Sequence, residues 1–319
     1  MPKRTLTSLA ALALLTGCSS DSSTPASTTT PTASTPATQQ PGTVTPLPTP
    51  ATPPAATTAP HRVETSFFGV LGDQINETRD FVTRLWVMQW SWGGDIATQL
   101  AEIAAARVPA TFDLDRVLYP PGATTLYHDA EQRLRDLAAQ MVASGADEFI
   151  DSVHPCDEPN LKELKRSDSI PAATELVRRV FQNKRWRCNF SGAYTWDHMD
   201  LFDDVGCDHL RLVDKVVAAS TDFDSNVTPP IADTWLAQMR PDQGLLLVPG
   251  GSEMDYAAPN IQLWIDYAKK VAATGRNVEV CGFAWRVPEG AIGMHDPMVG
   301  ICDQPALRAQ YEAAFKGKA

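Results

Sequence analysis

The chain has no apolar stretch approaching the roughly 20 residues that a membrane-spanning helix requires; its one sustained run, Leu6–Leu15, is far shorter. None of its 6 cysteines forms a C-x-x-C pair, which removes the usual structural zinc frameworks. H-E-x-x-H, G-x-S-x-G and Walker signatures are missing, which counts against the chemistries those motifs serve. The first strand-to-helix turn, Gly69-Val70-Leu71-Gly72-Asp73, lacks the dinucleotide fingerprint G-x-G-x-x-G. Positive charge is scarce, with 27 Lys and Arg against 38 Asp and Glu and a net charge of -11. Without a basic patch interleaved with aromatics, no nucleic-acid partner is expected. The acidity equally disfavours electrostatic binding to anionic lipid, and a neutral or cationic substrate is easier to accommodate.

What is present begins with a processing signal. Lys3 and Arg4 precede the Leu6–Leu15 run, which ends in Leu15-Thr16-Gly17-Cys18. This resembles a bacterial lipobox. The resemblance implies a signal peptide over residues 1–17, cleavage before Cys18, and acyl chains, palmitate among them, on that cysteine, which would hold the protein to a membrane. Loss of Lys3 and Arg4 would bring the net charge near -13. Residues 18–62 are almost entirely Ser, Thr, Pro, Ala and Gln. Such a stretch cannot bury enough surface to offset its conformational entropy and is expected to act as a disordered spacer. A lipid-anchored monomer in the cell envelope, facing the periplasm or cell exterior, is the expectation. Cys156, Cys188, Cys207, Cys281 and Cys302 remain, an odd set that leaves at least one thiol outside any disulfide. Several fall within predicted strands, where a buried thiol is the commoner state.

From Thr65 onward, β-rich apolar runs alternate with helical patterns. The runs read as strands are Ser66–Leu71, Arg84–Trp90, Val108–Leu114, Glu148–His154, Arg185–Phe190, His209–Val213, Gly244–Pro249 and Val278–Trp285. Near-continuous apolar runs mark parallel strands covered by helices. Helical patterns cover Ile96–Ala106, Asp129–Ser144, Ile170–Gln182, Pro229–Met239, Asn260–Ala273 and Gln304–Phe315, with shorter ones at Ile75–Val82 and Trp196–Phe202. Gly145 marks a helix stop, and Pro171, Pro229 and Pro259 sit near helix starts, where a missing N–H costs least. Eight strand-helix units in about 255 residues predict an α/β (β/α)8 TIM barrel over residues 63–319, with a doubly wound open sheet as the rival.

In such a barrel, chemistry gathers where strands end. The expected exits are rich in carboxylates and tryptophan: Gln89-Trp90-Ser91-Trp92, Phe112-Asp113-Leu114-Asp115, His154-Pro155-Cys156-Asp157-Glu158-Pro159, Asn189-Phe190-Ser191-Gly192, Gly250-Gly251-Ser252-Glu253-Met254-Asp255 and Ala284-Trp285-Arg286. Glycoside cleavage needs one carboxylic acid to protonate the leaving oxygen and one carboxylate to attack or to activate water. Two Glu side chains at facing strand exits can converge on one bond.

Asp157-Glu158-Pro159 resembles the Asn/Asp-Glu-Pro segment of retaining glycoside hydrolases with (β/α)8 barrels. The resemblance covers the domain at the level of layout. It implies that Glu158 is the acid/base and Glu253, several residues past Pro249, the nucleophile. It also implies that Trp285 at the last strand floors the sugar site.

The residues themselves admit other readings. Glu158 before a proline suits a helix start, and Glu253 suits a loop or cap. Trp90, Trp92 and Trp285 divide between sugar stacking and packing. His154 reads first as a core histidine. Asp113, Asp115 and Asp255 are reserves. A metal site from Asp113, Asp115, His154 and Asp157 has no distinctive spacing, so neither metal nor cofactor is expected. The expected function is a surface-tethered, glycoside hydrolase-like protein. Glu158 and Glu253 would be catalytic, with Trp90, Trp92, Asp113, His154, Asp157, Asn189 and Trp285 binding carbohydrate. A catalytically silent glycan- or cell-wall-binding barrel, and a structural envelope protein without a ligand, are the alternatives.

Overall fold

The computed structural model describes residues 63–70, 73–87, 95–160, 166–190, 196–208, 212, 232–249, 260–286 and 300–316. Eight parallel strands run β1 (Val63–Phe67), β2 (Leu85–Val87), β3 (Ala110–Asp113), β4 (Ile150–His154), β5 (Arg185–Phe190), β6 (Asp204–Asp208), β7 (Gly244–Val248) and β8 (Val278–Gly282). Helices between them are α1 (Asp73–Thr78), α2 (Ile96–Ala106), α3 (Asp115–Leu118), α4 (Ala130–Ser144), α5 (Ile170–Val180), α6 (Ala232–Gln238), α7 (Ile261–Ala272) and α8 (Pro305–Lys316). The sheet order β1-β8-β7-β6-β5-β4-β3-β2 follows the chain around a ring. That order is the signature of a nearly closed (β/α)8 barrel and removes the open doubly wound sheet.

Local signals behave as their chemistry requires. Asp95 caps α2, its carboxylate accepting the Thr98 N–H at 3.0 Å. Gly145 ends α4 with φ of 77°, a left-handed conformation that glycine adopts without a Cβ penalty. Pro171 lies in the first turn of α5. Outward-facing strand residues such as Phe67, Phe112, Val153, Trp186, Val205 and Val280 join the helices in one large apolar core.

The sixth strand was expected at His209–Val213 and instead occupies Asp204–Asp208. Its sequence alternates polar and apolar and contains Gly206, so it does not read as an apolar run. A Cβ on Gly206 would come within 2.8 Å of the Leu246 side chain, which explains the glycine. The expected helix Trp196–Phe202 is reduced to a single 3-10 turn at Met199–Leu201.

The barrel interior also departs from an apolar filling. Its lower half, nearest the strand starts, is ionic. Glu279 on β8 accepts from Ser66 Oγ and from Arg187 Nη2 at 2.5 Å, and lies 3.4 Å from Arg84 Nε. Arg84 reaches Glu64 at 3.0 Å, Asp151 on β4 and Ser152 Oγ at 3.0 Å. Arg187 reaches Thr111 Oγ1 at 2.8 Å and approaches Asp204 at 3.2 Å. Burial pushes the Asp204 carboxyl up, but Arg187 and Arg185 outweigh it and hold it below the usual carboxylate range. A cavity of about 170 Å³ opens among these groups at this pole.

Arg84 precedes β2, so its contacts help close the ring where β1 meets β2. There, Thr83 N–H donates to Thr65 O at 2.9 Å, Arg84 N–H to the same oxygen at 3.1 Å, and Val70 N–H to Trp86 O at 3.2 Å. Above the ionic layer, Phe68, Trp86, Leu246, Val248 and Cys281 form a second, enclosed apolar cluster. The described cysteines make no disulfide, and all but Cys302 are buried.

Removing one partner from the inner network strands the others in a buried site. Glu279→Ala should cost about 3–5 kcal/mol in urea unfolding, whereas Arg178→Ala, which breaks a solvent-facing pair with Asp203, should cost less than about 1 kcal/mol. Equal costs would show that the inner network is not what holds the ring.

Candidate active site

The described mouth of the barrel is built from the exits of β3, β4 and β5. Asp113 and His154 are register partners at the ends of β3 and β4, and both are fully buried. Asp113 Oδ1 accepts the Asp115 N–H at 3.0 Å, which orients the carboxylate. His154 Nδ1 stands 3.5 Å from the same oxygen, beyond hydrogen-bond length. Neither ring nitrogen of His154 has a hydrogen-bond partner among the described residues. The imidazole is held instead by aromatic edges, with Trp86 at 5.1 Å and Phe68 at 6.3 Å between centroids, both T-shaped.

Next along the β4 exit, Asp157 accepts from Asn189 Nδ2 at 3.2 Å, and Glu158 N–H donates to Asn189 O at 3.0 Å. One residue at the β5 exit therefore fixes both acids. Asp157 and Glu158 are half-buried, and Asn189 is buried. Glu158 has φ of 42°, in the left-handed region. For a residue with a Cβ this costs about 1–2 kcal/mol, and it persists only where surrounding contacts impose it.

A second carboxylate at the β3 exit is electrostatically crowded. Burial first, and the neighbouring Asp113 second, push the Asp115 carboxyl from 3.8 up to about 7, against the opposing pull of Arg166. Arg166 itself is buried and ion-paired with Asp115, and it lies 4.4 Å above the Tyr119 ring.

Five sequence-predicted residues thus come together: Asp113, His154, Asp157, Glu158 and Asn189. Trp285 does not join them. Its indole is fully buried on the outer side of the ring, 4.9 Å from Phe67 and 5.5 Å from Phe81, with Arg308 at 5.2 Å over its face. Its N–H donates to Glu77 on α1 at 2.8 Å. With both faces and the N–H engaged by protein, it offers no platform for a sugar. Phe283, two residues earlier, packs instead on the inner cluster, 5.5 Å from Phe68. Strict alternation from Glu279 and Cys281 would carry Trp285 to the inward face as well, but β8 ends at Gly282 and the alternation does not extend to it. Glu253, Trp90, Trp92, Asp255 and Cys18 lie outside the described residues. The described residues contain no group of three or more His, Cys, Asp or Glu side chains able to hold a metal ion. Arg166 was not singled out from sequence; the only available signal was a basic residue following an acidic strand exit.

No protein-family model matches the chain, and no curated protein matches it. Solved structures do resemble it. A β-glucuronidase from Bacteroides uniformis aligns with a TM-score of 0.52 at 10% identity, covering 80% of this chain and 35% of that one. Bacteroides uniformis β-glucuronidase 2, covalently bound to a cyclophellitol-6-carboxylate aziridine, gives 0.50 at 11% identity, covering 82% and 36%. An endo-β-1,4-mannanase of glycoside hydrolase family 26 from Cellulomonas fimi gives 0.46 at 15% identity, covering 81% and 73%. The chain spans about a third of the length of the first two. The likeness is one of fold.

Because the Asp115 carboxyl is raised on folding, the protonated acid favours the folded state. That stability is complete below about pH 4 and is lost as pH rises toward about 7. Relative to wild type, Asp115→Asn should therefore gain in Tm between pH 4 and 7 and change little above that. A relative gain that shrinks over the same window would show that the Arg166 pair outweighs burial and Asp113.

Proposed function

We propose that this barrel is a glycoside hydrolase-like enzyme that cleaves or processes an extracytoplasmic polysaccharide or glycan by carboxylate acid/base chemistry. The observation that carries the proposal is Glu158 itself: an acid at the β4 exit, in a strained backbone conformation, pinned to the β5 exit by its own N–H. Strained conformations concentrate at functional sites because the fold must hold them there. The barrel-shaped glycosidases of similar fold support this reading.

In the proposed reaction, Glu158 donates its proton to the glycosidic oxygen as the bond to the anomeric carbon breaks. Glu253 attacks that carbon to form a glycosyl ester. Glu158, now a carboxylate, then takes a proton from water as the water oxygen displaces Glu253. Asp157 and Asn189 orient the acid, while Asp113 and His154 lie beneath it. Trp90 and Trp92 are proposed as sugar-stacking rings.

The same proposal includes the anchor. Acylation at Cys18 and the spacer up to residue 62 would tether the domain to the envelope membrane as a monomer.

Glu158→Gln should reduce hydrolysis of a responsive glycan by about 100-fold or more while leaving the Tm nearly unchanged. Hydrolysis at the wild-type rate would remove Glu158 from the chemistry. Retained glycan binding with no turnover in the wild-type protein would identify a silent, glycan-holding barrel.

A further inference from the structure

We infer that Arg166 is a positioning residue for Glu158, clamping the β4 exit to the connection between β3 and α4; the inference rests on the reading of Glu158 as the acid. Arg166 is 4% exposed, with its guanidinium turned onto protein groups. Its guanidinium is ion-paired with Asp115, donates from Nε to Ala123 O at 3.0 Å and lies 4.4 Å above the Tyr119 ring. It also bears on the Cys156 thiol, partly offsetting the burial that pushes this thiol up. Its main-chain N–H donates to Pro159 O at 3.1 Å.

Cys156 and Pro159 bracket Glu158. The Arg166 amide therefore holds the chain just past the residue in the left-handed conformation, at Pro159, while its buried side chain anchors that hold to Asp115 and Ala123. The far end of the clamp is equally fixed. Arg166 O accepts from Ser169 N at 2.9 Å and Ser169 Oγ at 2.7 Å, and that hydroxyl lies 3.1 Å from Tyr119 Oη. Asn189 supplies the opposite jaw through its carbonyl to Glu158 N–H and its amide to Asp157.

The planar, forked guanidinium is what this geometry requires. It reaches a carboxylate and a carbonyl in divergent directions while stacking on a phenol ring. A lysine ammonium keeps the charge but cannot make the three contacts at once.

The test uses Arg166→Lys in the full chain, with Ser169→Ala as the milder variant should the lysine protein not fold. Two readouts are taken: hydrogen exchange of the Glu158 amide, and kcat and KM on a glycan that the wild type cleaves. The expected result is exchange at Glu158 faster by about tenfold or more, with the Tyr311 amide on α8 unchanged. It is joined by a fall in kcat of about tenfold or more with KM within about twofold. Unchanged exchange at Glu158 in both variants would overturn the clamp, as would a kcat equal to wild type despite faster exchange. If the wild type cleaves no glycan, the assignment of Glu158 as the acid fails. The exchange experiment needs no substrate, so it still decides whether Arg166 holds that residue.

Discussion

The Glu279 carboxylate, 2% exposed inside a ring of strands, is the contact on which the architecture depends. It is approached by groups from three strand regions at once: Ser66 on β1, Arg84 before β2 and Arg187 on β5. A bare carboxylate there would be untenable, so its partners must all be in place together, and the ring must be closed for them to be so. Arg84 extends the same logic to Glu64 and Asp151, while Arg187 extends it to Thr111 and Asp204. The short seam between β1 and β2 carries few ladder bonds of its own. Charge pairing across the interior supplies what that seam lacks.

From this floor the interior changes character toward the mouth. Arg187 lies 5.0 Å over the Trp86 ring, and Trp86 stacks on Phe68 at 4.6 Å. Their edges hold His154 beside Asp113. The acids of the β4 exit stand above, fixed from one side by Asn189 and from the other by Arg166. Strain at Glu158 is thus held by packing that begins at the opposite end of the barrel. This continuity makes the proposed acid/base role depend on the fold as a whole.

The fold was largely legible in the sequence because strand and helix carry different hydrophobic periods. Ile96–Ala106 is found as read, and Gly145 stops its helix as its missing Cβ allows. What escaped were features whose logic is tertiary. β6 hides because its inward positions, Asp204 and Gly206, answer to Arg185, Arg187 and Leu246 rather than to an apolar pattern. The ionic floor escaped because its charges are far apart in sequence. Trp285 was misplaced because Glu77 on α1 draws its indole outward, a partner 208 residues away. The meeting of Asp113, His154, Asp157, Glu158 and Asn189 was legible, since strand exits of a barrel must converge. The left-handed backbone of Glu158 and the Arg166 clamp were not, since neither leaves a mark on local composition.

The most direct test of the account is the separation of the Glu158 and Glu253 carboxyl groups in a crystal structure with a non-hydrolysable glycan bound. The account predicts about 5–5.5 Å, the separation at which Glu253 can form the glycosyl ester while Glu158 reaches the glycosidic oxygen; roughly 6.5–9.5 Å would overturn the ester step. A separation well beyond about 10 Å, with no other carboxylate facing Glu158 across the sugar, would contradict it.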